Sequence, residues 1–165
     1  MPVFNYERVK KLNKAIWEAE EGLYEQIGSI RLEELPVFLR EHMEDLLSGL
    51  RPFADYMRAK FRDKGVLQQN IFLAADISEN YGYKIIAEEK HTVQRDIILR
   101  ICLAAQFDLN ETQKALILYG MAPLYWPLPR DIVFIAAILH KAFDIHQVNE
   151  ILVRCGLAPL VKENG

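Results

Sequence analysis

The stretch Gln68–Ile85, with the sequence QQNIFLAADISENYGYKI, decides the fold because it predicts two short helices joined by a tight turn. Asp76 stands where the chain has to reverse, and aspartate adopts the left-handed backbone conformation more readily than most residues. Ser78 follows the turn and is a favourable N-cap for the second helix. Apolar residues recur at helical spacing on both sides of the turn, at Ile71, Phe72, Ala75, Ile77 and Ile85.

At the contact between these two predicted helices, the large and the small side chain stand on the opposite helices from the usual ones. In a helix-turn-helix the first helix commonly carries a small residue at the crossing and the second a branched apolar one. Here the first carries Phe72 and the second carries Gly82. We predict that Phe72 packs against the backbone near Gly82, so that the space between the helices stays filled. The alternative is an ordinary helical hairpin that binds no ligand.

The flanking sequence extends the pattern to five helices. Helical periodicity and end signals predict them at Pro52–Lys64, Gln68–Ala75, Ser78–Ala87, Thr92–Gln106 and Asn110–Tyr119. A characteristic set of residues accompanies them, namely Gly65, Gln68, Ala75, Ile77, Ser78, Tyr81, Ile85, Lys90, Arg95 and Asp96. Through these residues the run from Pro52 to Leu118 resembles the DNA-binding domain of the phage-repressor, or Xre/Cro-type, helix-turn-helix family. Asp76 replaces the usual turn glycine.

The resemblance implies a DNA-binding transcriptional regulator whose second motif helix lies in the major groove. Five residues would face the groove: Ser78, Glu79, Asn80, Tyr83 and Lys84. Asparagine can pair with adenine, and glutamate can accept a hydrogen bond from cytosine. Contacts to the phosphate backbone would come from Gln68, Arg58, Lys64, Lys90, His91 and Arg95. The expected partner is therefore double-stranded DNA.

The charge distribution supports this expectation only in part. The net formal charge is −3, which provides no general attraction to phosphate. Arg51–Lys64 carries five basic and two acidic side chains, whereas the first fifty residues carry six basic and ten acidic ones. The alternative function is a helical protein–protein interaction module that retains the helix-turn-helix architecture without binding DNA. In that case a protein partner would bind through the N-terminal arm or the C-terminal hairpin.

An internal repeat organises the second half of the chain. Phe107–Leu124 (FDLNETQKALILYGMAPL) aligns without a gap to Phe143–Leu160 (FDIHQVNEILVRCGLAPL). Upstream, Arg95-Asp96-Ile97 is echoed by Arg130-Asp131-Ile132. Each unit predicts a helix opened by Arg-Asp, a Phe-Asp turn, a second helix, a glycine C-cap and an Ala-Pro-Leu exit. Two such units are too few for a free-standing solenoid, so the second hairpin must pack on the first or on a partner.

The first fifty residues form a separate piece with two apolar stripes. One stripe runs through Val9, Leu12, Ile16, Ala19, Leu23 and Ile27, and the other lies in a helix predicted at Pro36–Leu50. The stripes predict either packing within the protein or an arm that forms a homodimer. The predicted fold is all-α: an N-terminal helical arm (1–50), a five-helix repressor-like helix-turn-helix domain (51–124), and a linker with the repeated C-terminal hairpin (125–165).

Other classes of function find little support in the sequence. No phosphate-binding loop, nucleophile elbow or metal-ligand spacing is present. We therefore expect that the protein is not an enzyme and that it has no catalytic residue, no metal and no cofactor. No apolar run approaches the ~20 residues of a membrane span. Cys102 and Cys155 fall in apolar helical stretches and are predicted to be buried thiols. Free thiols and the absence of a signal sequence indicate a cytoplasmic protein.

Overall fold

The computed structural model describes Glu25, residues 27–48 and residues 52–162. All regular secondary structure in these ranges is helical, which confirms the all-α class. Every helix in the described ranges falls short of the length and apolarity needed to cross a membrane. Backbone contacts divide the chain into two compact units, Met1–Pro52 and Phe53–Gly165.

The first unit contains a short 3-10 turn and one described helix. The turn is Leu32–Glu34, and helix α1 is Leu35–Ser48. Helix α1 confirms the predicted helix Pro36–Leu50 to within two residues. Val37 and Leu39, two apolar residues of this helix, are 48% and 44% exposed. The first predicted stripe, from Val9 to Leu23, lies outside the described residues.

The second unit is built from seven helices in its described part. They are α2 (Pro52–Asp63), α3 (Gln68–Ala75), α4 (Glu79–Ile86), α5 (Arg95–Ala104), α6 (Leu109–Leu118), α7 (Pro129–Leu139) and α8 (Ile145–Arg154). The five helices predicted between Pro52 and Tyr119 are confirmed, with ends that differ by at most three residues. Helix α3 packs on α4 and on α5. The core of the second unit includes four buried aromatic side chains, Phe53, Phe72, Phe107 and Phe134.

The largest difference in helix ends occurs at α5, which begins at Arg95 and not at Thr92. The Thr92 amide donates to the hydroxyl of Tyr119 at 2.9 Å, and the Thr92 hydroxyl accepts from the Gln94 amide at 3.1 Å. These two bonds engage Thr92 outside the helix, and Gln94, the N-cap of α5, has an extended backbone. The threonine side chain bonds a nearby backbone amide, and such local bonds commonly compete with helical backbone bonds at the start of a helix.

All helices from α2 to α8 end in the same backbone motif. After α3, Asp76 has φ 54°, its amide donates to the carbonyl of Leu73, and the next amide, of Ile77, donates to the carbonyl of Phe72, both at 3.2 Å. This pair of bonds is the Schellman motif, in which one residue adopts the left-handed conformation. The left-handed residues that end the seven helices are Gly65, Asp76, Glu88, Gln106, Gly120, Lys141 and Gly156.

Four of these left-handed residues are not glycine, which predicts a simple gain in stability. Lys141 has φ 55°, and a side chain in this conformation costs about 1–2 kcal/mol. We expect Lys141→Gly to raise the free energy of unfolding by about 1 kcal/mol, after the greater freedom of glycine in the unfolded chain is subtracted. Urea unfolding measures the change. Gly156→Ala, at φ 72°, should lower the free energy of unfolding instead; a gain in both variants would contradict this account.

The two repeats carry their turn aspartates and their glycine helix ends at equivalent positions, as predicted, but the second turn is one residue longer. Asp108 and Asp144 are both N-caps that accept the amide three residues ahead, at 2.8 and 2.9 Å. In the first repeat the left-handed residue Gln106 lies two positions before its N-cap, whereas Lys141 lies three positions before Asp144. Ala142 is the inserted residue, and it explains why the upstream echo is offset by one from the downstream alignment.

The two hairpins exchange ion pairs across their interface. Arg130 of the second donates to both carboxylate oxygens of Asp96 of the first, each at 2.7 Å. Arg95 of the first pairs in the same bidentate manner with Asp131 of the second. Asp96 and Asp131 are 6% and 1% exposed. Each arginine therefore satisfies a buried carboxylate that belongs to the other repeat.

Helix packing and backbone bonds follow the same exchange. Helix α5 packs on α8, and α6 packs on α7. The amides of Tyr125 and Val161, which follow the two Ala-Pro-Leu exits, donate to Asp131 and Asp96 at 2.9 and 2.8 Å. Contacts of i with j and of j with i characterise a two-fold interface. The second hairpin thus packs on the first as an internal pseudo-dimer.

One burial prediction was wrong. Cys102 is buried in α5, and burial raises the pKa of its thiol. Cys155, in contrast, is exposed. It lies directly after Arg154, where α8 ends and the chain turns at Gly156, so the apolar periodicity that placed it in the core no longer applies.

Candidate nucleic-acid interface

The crossing of α3 and α4 has the geometry that the exchanged side-chain sizes predict. Phe72 is fully buried. A β-carbon added at Gly82 would lie 2.4 Å from Cδ1 of the Phe72 ring, so the ring occupies the space that a side chain at 82 would need. Tyr83 packs edge-on against the same ring, with centroids 5.0 Å apart. The close approach of α4 to Phe72 therefore fixes the position of α4.

The opposite face of α4 is polar and open to solvent. Ser78 is its N-cap and accepts the amide of Tyr81 at 3.4 Å. Buried residues on the inner face are Gly82, Ile85 and Ile86, and exposed residues on the outer face are Glu79, Asn80, Tyr83 and Lys84. The five residues predicted to face a groove, Ser78 included, therefore share one exposed surface. We call these five residues the α4 face.

Basic residues of α2 border an open groove near the start of α3. Arg58 and Arg62 line it together with Gln68, the first residue of α3. The groove has a volume of about 580 Å³, its apolar lining includes Phe61, and Asp55 adds one acidic group. We call Arg58, Arg62 and Gln68 the basic groove. Arg62 was not among the predicted contacts, although its spacing of four from Arg58 places both on one helix face.

Four other predicted phosphate contacts are engaged within the protein. The ammonium of Lys64 lies 3.0 Å from the carboxylate of Glu111, and Arg95 is held by Asp131. Lys90 lies over the ring of Tyr81 at 4.9 Å. His91 stacks on Tyr119, with centroids 4.6 Å apart. Of the six predicted phosphate contacts, Arg58 and Gln68 therefore line one groove, and the other four are engaged by neighbouring side chains.

The turn between α3 and α4 forms an ion pair with the C-terminal segment. Lys162 lies 2.8 Å from the carboxylate of Asp76. The hydrogen bond from Lys162 is the main reason why the pKa of Asp76 is lowered. Near the other end of the motif, Gln69 donates to Glu79 at 3.4 Å. The turn is therefore held from both helices and from the C-terminal segment.

Among the described residues, no three His, Cys, Asp or Glu side chains are close enough together to hold a metal ion. Comparison of the chain with protein-family models, with curated proteins and with solved structures finds no match. The geometry of the α4 face and of the basic groove is therefore the basis for assigning a function.

Proposed function

We propose that this protein binds double-stranded DNA through the α4 face and the basic groove, as a transcriptional regulator of the repressor-like helix-turn-helix type. The observation that carries the proposal is the polar, exposed α4 face on a helix that Phe72 and the capped turn hold in place. A helix presented in this way fits the major groove. The five-helix repressor arrangement of α2–α6 is part of the same proposal.

The two surfaces would contact different parts of the DNA, because their side chains differ in chemistry. Asn80 and Glu79 offer hydrogen-bonding groups to base edges, whereas Arg58 and Arg62 offer charge to phosphate. With a net charge of −3, the whole chain repels DNA weakly, so these local cations have to supply the attraction. The dimer remains a proposal too: the N-terminal arm exposes Val37 and Leu39, and a dimer would present two α4 faces to paired half-sites.

The second candidate is a cytoplasmic protein-interaction module without catalytic activity. Leu67 and Leu73 favour it, because they are 68% and 80% exposed beside or on α3. Protein interfaces bury apolar side chains, whereas the phosphate backbone of DNA attracts mainly cations. Binding of wild-type protein to random duplex DNA at low salt decides between the two. Micromolar or tighter binding supports the DNA function, and its absence supports the interaction module.

Asn80 and Arg58 should affect DNA binding in different ways. We expect Asn80→Ala to cost about 1–3 kcal/mol on a selected duplex with little change on random sequence, because it removes a base contact. Arg58→Ala should weaken binding to all sequences and flatten the salt dependence, because it removes a phosphate contact. Fluorescence anisotropy at several salt concentrations measures both. Arg154→Ala, the same change on the exposed surface of α8, should leave binding unaltered; equal losses in all three variants would contradict the proposed surface.

A further inference from the structure

Each of the last three described residues contacts another part of the protein. We call Leu160–Lys162 the C-terminal strap. Its Leu160 amide donates to Asn149 of α8 at 2.8 Å, and its Val161 amide donates to Asp96 at the start of α5. Lys162 reaches the carboxylate of Asp76 in the α3–α4 turn. The strap therefore joins the second hairpin to the proposed DNA-binding motif.

Arg100 makes the same connection from inside the protein. It is fully buried in the middle of α5. Its guanidinium donates to the carbonyls of Leu160 and Val161, each at 2.8 Å, and to the carbonyl of Ala75 at 3.0 Å. Ala75 is the last residue of α3, so its carbonyl belongs to the negative end of that helix. One planar cation thus holds the strap and the end of α3 together.

The hairpin fold itself does not require this arginine. The offset that aligns Arg95 with Arg130 places Ile135 at the position equivalent to Arg100, and Ile135 is fully buried and apolar. A buried cation is costly unless it is fully hydrogen-bonded, and an apolar side chain fills the same place in the second repeat. Arg100 therefore serves a contact that the first repeat makes and the second does not, namely the end of α3.

We propose that Arg100 is a positioning residue for DNA recognition, which couples the α3–α4 turn to the C-terminal strap and so makes the orientation of α4 depend on the second hairpin. The proposal rests on the proposed DNA-binding function. It assigns the second hairpin a role in the binding site although the hairpin contributes no residue to the α4 face or to the basic groove. Arg100 itself is buried and would not touch DNA.

The main test compares Arg100→Met with Arg100→Lys in the full chain. Methionine keeps the length of the side chain and removes its donors, whereas lysine keeps the charge and three donors. We expect Arg100→Met to bind duplex DNA at least ten-fold more weakly than wild type, and Arg100→Lys to recover part of the loss. Wild-type affinity in Arg100→Met would overturn the proposal.

Hydrogen exchange separates positioning from general stability. The Ile77 amide closes the turn after α3, and the Phe107 amide closes the equivalent turn after α5. In Arg100→Met we expect protection of Ile77 to fall at least ten-fold while that of Phe107 changes less than two-fold. Equal losses at both amides, or no loss at either, would overturn the proposal. This measurement needs no DNA, so a wild-type protein that binds no duplex refutes the DNA function and leaves the coupling to be decided by exchange.

Surface variants keep the test decisive if Arg100→Met does not fold. Lys162→Glu places two acidic groups together at the turn, and Asp76→Lys with Lys162→Glu restores the pair with reversed sign. Lysine is acceptable at the left-handed position 76, since Lys141 adopts the same conformation. We expect the single variant to lower Ile77 protection and duplex affinity at least three-fold and the double variant to restore Ile77 protection. Lys141→Glu makes the same charge change away from the turn; an equal loss of protection and affinity in Lys141→Glu would overturn the proposal.

Discussion

Phe72→Ala and Gly82→Ile should each destabilise the protein strongly, and the double variant should be far more stable than their sum predicts. Phe72→Ala empties a fully buried site and should cost about 3–5 kcal/mol. Gly82→Ile places a β-carbon 2.4 Å from the Phe72 ring and should cost about 3 kcal/mol. In the double variant the new side chain fills the space that the ring leaves. We expect a coupling energy of about 2–3 kcal/mol from urea unfolding.

The control for this cycle is a glycine with free space around it. A β-carbon at Gly28 would meet no atom within 4 Å, and its backbone is not left-handed. Gly28→Ala should therefore leave the free energy of unfolding of Phe53–Gly165 unchanged and show no coupling to Phe72→Ala. Additive costs in the Phe72–Gly82 cycle would mean that the two residues do not share one space. That result would contradict the account in which the Phe72 ring fills the place of a side chain at position 82.

Local signals in the sequence were sufficient to predict the two short helices α3 and α4 and the tight turn between them. Asp76 and Ser78 act on the backbone within a few residues of themselves, so their conformations depend little on the rest of the chain. The contact of Phe72 with Gly82 was also predictable, because the turn between them is short and the helical period fixes which residues meet. The same holds for Asp108 and Asp144, which the repeat places in the predicted Phe-Asp turns and which cap the helices that follow.

Contacts between distant segments could not be predicted in the same way. Arg95 is an ordinary surface cation by its sequence, and only the packing of the second hairpin brings Asp131 to it. Arg100 lies in the apolar run IILRICLA, and no motif in the sequence marks it as a functional residue. Its partners Leu160 and Val161 are about sixty residues away. A charged residue inside an apolar helix is nevertheless a usable signal, because burial requires that its donors find acceptors.

Breaking one of the exchanged ion pairs should have the largest effect among the charged residues. Asp96→Asn leaves the Arg130 guanidinium partly buried without its carboxylate and should lower the free energy of unfolding by about 3 kcal/mol at pH 7. By itself burial raises the pKa of Asp96, but the hydrogen bonds from Arg130 and from the Val161 amide outweigh it, so the net pKa is lowered. A lowered folded-state pKa means that the carboxylate stabilises the protein at neutral pH.

The pH dependence of this variant follows from the direction of that shift. The contribution of Asp96 is complete above the unfolded-state pKa of about 3.9 and is lost as the pH falls through the lower folded-state pKa. The difference in stability between wild type and Asp96→Asn should therefore be constant near neutral pH and shrink below about pH 4. Urea unfolding between pH 7 and pH 3 measures it. Asp144→Asn, which keeps an equally good N-cap, should cost little at pH 7. A difference that grows on acidification would show that Asp96 is not held as a carboxylate by Arg130, and the exchanged pairs would not be what joins the two repeats.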